Sequence, residues 1–113
     1  MPRKARLPTA PTHLEPTTRR WWRAVVEQYV LGEHHLRLLR LACEAWDRGQ
    51  QARAVLAECG LTYTDHHEQP RARPEVAIER DSRIGFARLL RELCLDVEPP
   101  VEARPPRRTG TGG

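Results

Sequence analysis

Between Glu33 and Cys59 the chain reads EHHLRLLRLACEAWDRGQQARAVLAEC, with no proline, and Gly60 follows at once. Its abundance of Leu, Ala, Arg, Glu and Gln, closed by a glycine, predicts one uninterrupted helix over 33–59. At about 1.5 Å per residue that helix runs roughly 40 Å. With residues about 100° apart, Leu36, Leu38, Leu39, Leu41, Ala42, Cys43, Ala45 and Trp46 fill an arc of roughly 220°, opposite Arg37, Arg40, Glu44, Asp47 and Arg48. A surface helix needs about half that apolar width, so this one requires two neighbours. A short chain supplies one. The second is expected to be another copy of the protein, meeting Leu38, Leu41 and Ala45 at one side of the stripe.

Two further stretches repeat at helical spacing. Trp21, Trp22, Val25, Val26 and Tyr29 predict a helix over about 17–30, capped by Thr17, whose opposite face presents Arg20, Arg23 and Glu27 beside Arg19. Pro74 suits a first helical position and Glu75 a first turn. Ile78, Ser82, Gly85, Phe86, Leu89, Leu90 and Leu93 then form the stripe of a third helix over about 74–94, antiparallel to the central one. Residues 60–73 cross between them. Leu61 to Asp65 alternate as a strand does, but HHEQPRARP carries no apolar pattern, so an extended crossover is expected, with a short hairpin as the alternative. The expected fold is all-α: a helical hairpin of the long central helix and the third, with a short N-terminal helix, in one helical domain over 14–95. Trp22, Trp46, Leu39, Phe86 and Leu89 are the expected core. Gly49 and Gly85, unfavourable inside helices, mark either a close approach of backbones or a tolerated glycine with no role.

The termini differ in kind. Residues 1–13, MPRKARLPTAPTH, are proline-interrupted and basic and read as a flexible extended arm, and 96–113 as a disordered tail rich in Pro and Gly. The 113 residues carry 19 basic and 15 acidic side chains, a formal net charge of +4. Residues 1 to 20 hold five basic residues against one acidic, so the entire excess sits in the arm and the start of the first helix. This favours a polyanionic partner at that end, with Arg3, Lys4, Arg6, Arg19, Arg20 and Arg23 as the phosphate-binding candidates. The three cysteines, Cys43, Cys59 and Cys94, follow no hydrophobic leader or membrane-spanning run and are expected to be reduced apolar packing residues in a cytoplasm.

Catalytic chemistry has little to stand on. There is no phosphate-cradling glycine loop, nucleophile elbow or zinc-binding helix motif. Asp65, His66, His67 and Glu68 are the only cluster suggestive of a metal, and without well-spaced further ligands they read as a solvated loop. No enzyme activity, cofactor or metal is expected.

Three stretches together carry a family likeness: the Trp22 helix; the run L-x-x-L-L-x-L-A-C-E-A-W from Leu36 to Trp46, leading to Gly60; and Arg73-Pro74 with Ile78 to Ser82, Phe86, Leu89, Leu90, Glu92 and Leu93. The chain resembles the short helical small subunits of phage terminases over roughly residues 7–95. The resemblance implies a non-catalytic, ring-forming subunit that binds double-stranded viral DNA in the host cytoplasm and presents it to the large terminase subunit, which holds the ATPase and nuclease. A small helical adaptor, binding a protein partner through the wide apolar face with no DNA role, is the alternative.

Overall fold

In the computed structural model, which describes residues 6–95 and 99–100, three helices and a two-stranded hairpin follow one another. They are α1 (Pro16–Gln28), α2 (Glu33–Cys59), β1 (Thr62–Thr64), β2 (Pro70–Ala72) and α3 (Pro74–Leu93). The long helix ends as its sequence requires: Gly60 has φ +83°, a left-handed conformation that a Cβ disfavours, and its N–H reaches Leu56 O.

Helices α2 and α3 form the helical hairpin. Trp46 stacks at an angle on Phe86 with ring centroids 5.0 Å apart, Gly49 faces Ser82, and Arg53 pairs with Glu79 at 3.5 Å. As the α2 position advances the α3 position recedes, so the two run antiparallel. A Cβ on Gly49 would lie 3.3 Å from that of Ser82, a genuine close approach. Gly85 follows the other reading: a Cβ there meets nothing within 4 Å.

Helix α1 covers the N-terminal half of α2. Trp21, Trp22, Val25 and Val26 are buried against Leu39, Ala42 and Cys43, and Trp21 meets Phe86 with centroids 6.1 Å apart, so the core joins all three helices. Trp22, Leu39 and Phe86 are buried, whereas Trp46 and Leu89 are half-buried at its edge.

Several expectations change. The crossover is a hairpin: Thr62, Tyr63 and Thr64 pair antiparallel with Ala72, Arg71 and Pro70. Its strands are exposed, so no apolar pattern is needed on the second one. The Asp65 side chain organises the turn, accepting from the backbone N–H of His67 and Gln69, each at 2.9 Å, and from Arg71 Nε at 2.8 Å. Helix α1 starts one residue before Thr17 and stops at Gln28, with no side-chain cap of its own.

That cap comes from α2. Asp47, expected on the polar face, is only 7% exposed; its carboxylate accepts from the Glu15 N–H at 2.8 Å and from the Thr18 hydroxyl at 2.6 Å. A negative charge at a helix N-terminus satisfies open donors and complements the helix dipole. Cysteines also divide: Cys43 is buried, but Cys59 and Cys94 are exposed and not packing residues.

Candidate nucleic-acid interface

The first helix turns Trp21, Trp22, Val25 and Val26 inward, so helical period alone leaves Arg20, Arg23 and Glu27 outward, and all three are exposed. The arm that precedes it is not free over its described part. Ala10 and Leu14 are buried, the Trp22 indole donates to Pro8 O at 3.0 Å, and Arg19 donates to Thr12 O at 3.0 Å. His13 closes the strap, with Nε2 2.8 Å from Glu44 on α2. The segment, which makes one backbone bond of its own from the Leu14 N–H to Pro11 O at 3.4 Å, is thus held mainly by side chains from two helices.

Glu44 is a shared acceptor. Partial burial raises its pKa, but hydrogen bonds from Arg40, at 3.1 Å, and from His13 outweigh that and hold it below the ordinary glutamate value. At Cys43, one residue away, burial first and then the charges of Asp47 and Glu44 push the thiol up to about 12. Such a thiol is not a nucleophile at neutral pH.

Between strap and helix lies an open groove of about 540 Å³. Leu7, Pro8, Ala10 and Val26 give it apolar walls, and Arg19, Arg23 and Glu27 line it as well. The structure therefore brings Arg19 and Arg23 together, places Arg20 exposed on the same helix, and leaves Arg6 exposed near the groove's Leu7. Arg3 and Lys4 lie outside the described residues. Among the described residues, Arg6, Arg20 and Arg23 form no ion pair, whereas Arg37, Arg40, Arg53, Arg71, Arg80 and Arg83 each engage a carboxylate. Arg48 on α2 and Arg88 and Arg91 late in α3 also lack one there. Arg19, half-buried and committed to Thr12, is as much a fastener as a free cation.

The second candidate surface is the seam of α2 and α3 away from α1. Leu41 is 50% exposed, and with Ala45, Ile78 and Leu89 it lines a shallow groove bordered by Arg48 and Asp81. The apolar character continues along Ala52, Val55 and Ile78. Leu38 and Ala45 both pack against the core, so of the three predicted interface residues Leu41 is the most available, and Leu38 does not line this groove.

The loop of Asp65, His66, His67 and Glu68 spends its Asp on Arg71 and the turn. No group of three or more His, Cys, Asp or Glu side chains among the described residues is placed to hold a metal, and no described helix is long and apolar enough to cross a membrane.

The contacts that sequence reasoning missed, Asp47 to α1, Pro8 to Trp22 and His13 to Glu44, join residues 14 to 32 positions apart and carry no local signal. In comparison with known proteins, a family model described as phage terminase, small subunit, matches residues 19–100. No curated protein and no solved structure gives a match.

Proposed function

The chain belongs to the phage terminase small subunit family, whose model spans most of it, and from that premise we propose that it is the non-catalytic DNA-binding component of a genome-packaging machine. Family membership gives the role in phage packaging. The finer reading is that an assembly of this subunit holds double-stranded viral DNA and presents it to the large, catalytic subunit in the host cytoplasm.

The observation that carries the DNA reading is a run of arginines, unpaired among the described residues, at the end of the chain where the net charge lies. Arg20 and Arg23 stand exposed on α1 and Arg6 on the strap, while Arg37, Arg40, Arg53, Arg80 and Arg83 of α2 and α3 each already engage a carboxylate. A guanidinium with no partner loses only water on meeting a phosphate; a paired one must also release its carboxylate. Such contacts attract DNA without reading its sequence. Arg3 and Lys4, earlier in the same arm, would add to the field.

Assembly is proposed through the exposed part of α2, with Leu41 and Ala45 at its centre and Ile78 and Leu89 of α3 alongside. A subunit array multiplies weak phosphate contacts on one duplex, so modest attraction per chain suffices.

Duplex binding measured against salt tests the proposal. Each phosphate contact removed flattens the slope of log affinity against log salt by about 0.9. The double variant Arg20→Ala, Arg23→Ala is expected to lose affinity and slope together. Arg88→Ala with Arg91→Ala is the comparison at the unpaired arginines of α3; if that pair carries the whole effect, DNA is met by α3 instead.

A further inference from the structure

We propose that copies of this chain join head to tail, the Val30 side chain of one entering a socket between α2 and α3 of the next. The proposal rests on the assembly reading above and names its contact. Val30 lies in the short link between α1 and α2 and is fully exposed, whereas Tyr29 and Leu31 on either side pack against the core. The cause is the backbone: Tyr29 at φ −129°, ψ 145° and Gly32 at φ −74°, ψ 174° are extended, and extended chain sends successive side chains to opposite sides. An apolar side chain is thereby presented to solvent on a link fastened at both ends.

A receptor of matching size exists on the same molecule. Trp46 and Phe86 supply its aromatic walls, Gly49 and Ser82 its narrow part, and Arg53, Glu79 and Arg83 its rim, enclosing about 230 Å³. That is below the roughly 300 Å³ at which pockets for small-molecule ligands begin, and suits one or two side chains. It also accounts for Trp46 being half-buried although it is part of the aromatic cluster.

Charge agrees with this pairing. Glu79 accepts from Arg83 at 3.2 Å and lies 3.5 Å from Arg53, so two guanidiniums border the socket against one carboxylate. Glu27 and Glu33 flank Val30, both exposed; the Arg37 partner of Glu33 holds it only through a solvent-screened pair. Ala45 and Ser82 line both the socket and the Leu41 groove, so the two surfaces are continuous.

The contact must be between copies. The α2 helix begins at Glu33, and its socket position Gly49 lies about 24 Å further along at about 1.5 Å per residue, beyond the reach of the chain's own Val30. Knob and socket are different patches, so the interface is heterologous, the kind that closes into a ring when its rotation permits.

Oxidative cross-linking of the full chain tests this. Val30→Cys and Gln50→Cys, the latter on the socket wall, are combined in a background with Cys59→Ser and Cys94→Ser. A ladder of dimers, trimers and higher species on a denaturing gel is expected from the pair, and monomer only from either single cysteine. Monomer from the pair, a ladder that stops at dimer, or cross-linking by Val30→Cys alone overturns the proposal. Separately, Val30→Lys places a cation between Arg53 and Arg83; native mass is expected to fall to one chain with circular dichroism unchanged. If Val30→Lys still assembles while Leu41→Glu does not, the assembly reading stands and the knob fails. If the parent itself has the mass of one chain, both fall.

Discussion

Asp47 shows how much one side chain does here. It reaches from α2 to the start of α1, taking the Glu15 N–H and the Thr18 hydroxyl while itself nearly buried. Asp47→Ala leaves both donors unsatisfied, and a loss of about 2–3 kcal/mol is expected from the cap and the orphaned groups. Exposed Asp81→Ala should change the melting temperature little; equal effects from the two would disprove the capping role. Trp22→Ala should cost about 3–5 kcal/mol, and Trp46→Ala less, because part of Trp46 already faces water. Thiol reactivity is a second residue-scale check. Burial pushes the Cys43 thiol up to about 12 while Cys59 and Cys94 are exposed, so two thiols should react in the native chain at neutral pH and the third only on unfolding. Rapid modification of all three would contradict the packing around Cys43.

At the scale of elements, the two helix-interior glycines part company. Gly49 is pinned by Ser82, and an added methyl must displace a close neighbour. Gly85 faces open space, so Gly85→Ala should stabilise the fold by about 0.5–1 kcal/mol through helix propensity alone. A lower melting temperature for Gly85→Ala would mean that the site is covered in the assembly. The β-hairpin depends on ionised Asp65, whose pKa is lowered by hydrogen bonds from Arg71 first and from the Gln69 and His67 N–H groups. With a folded value below the unfolded one, its stabilisation is present above the usual aspartate pKa of about 4 and fades as pH falls through the lower, folded value. Amide exchange across residues 62–72 should accelerate in that acid range, and Asp65→Asn should remove the pH dependence. Unchanged exchange in the parent would show that the turn holds without the charge.

For the whole molecule, the strap alters how the basic end must be probed. Removing residues 1–13 also removes Ala10 from the core and the Pro8 and Thr12 carbonyls from Trp22 and Arg19, so weaker DNA binding by that truncation would mix lost charge with lost structure. Arg3, Lys4 and Arg6 changed together to Ala isolates the charge, and a flatter salt slope with unchanged assembly mass is expected. Leu38 needs similar care, since it packs against the core. Leu41→Glu with Ile78→Glu is the cleaner disruption of the exposed seam and should lower the native mass; an unchanged mass would move the interface elsewhere.

The sequence by itself determined the three helices and the antiparallel hairpin of α2 and α3. Helical period, proline placement and the Gly60 terminus are local properties, expressed wherever an apolar stripe finds a partner. It determined too that the unbalanced charge lies at the N-terminal end, since charge is a matter of count and position. Only the tertiary structure decided which polar residues turn inward and which cations remain free. Asp47 became a buried cap because packing α1 on α2 set its carboxylate against open N–H donors, and Arg19 became a fastener because a carbonyl of the strap lay within reach. Likewise Tyr63 and Arg71 pair across a turn ordered by Asp65, and Val30 is left bare by an extended link between two packed neighbours. Each of these depends on contacts between residues separated along the chain or on backbone geometry imposed by packing, which periodicity does not encode.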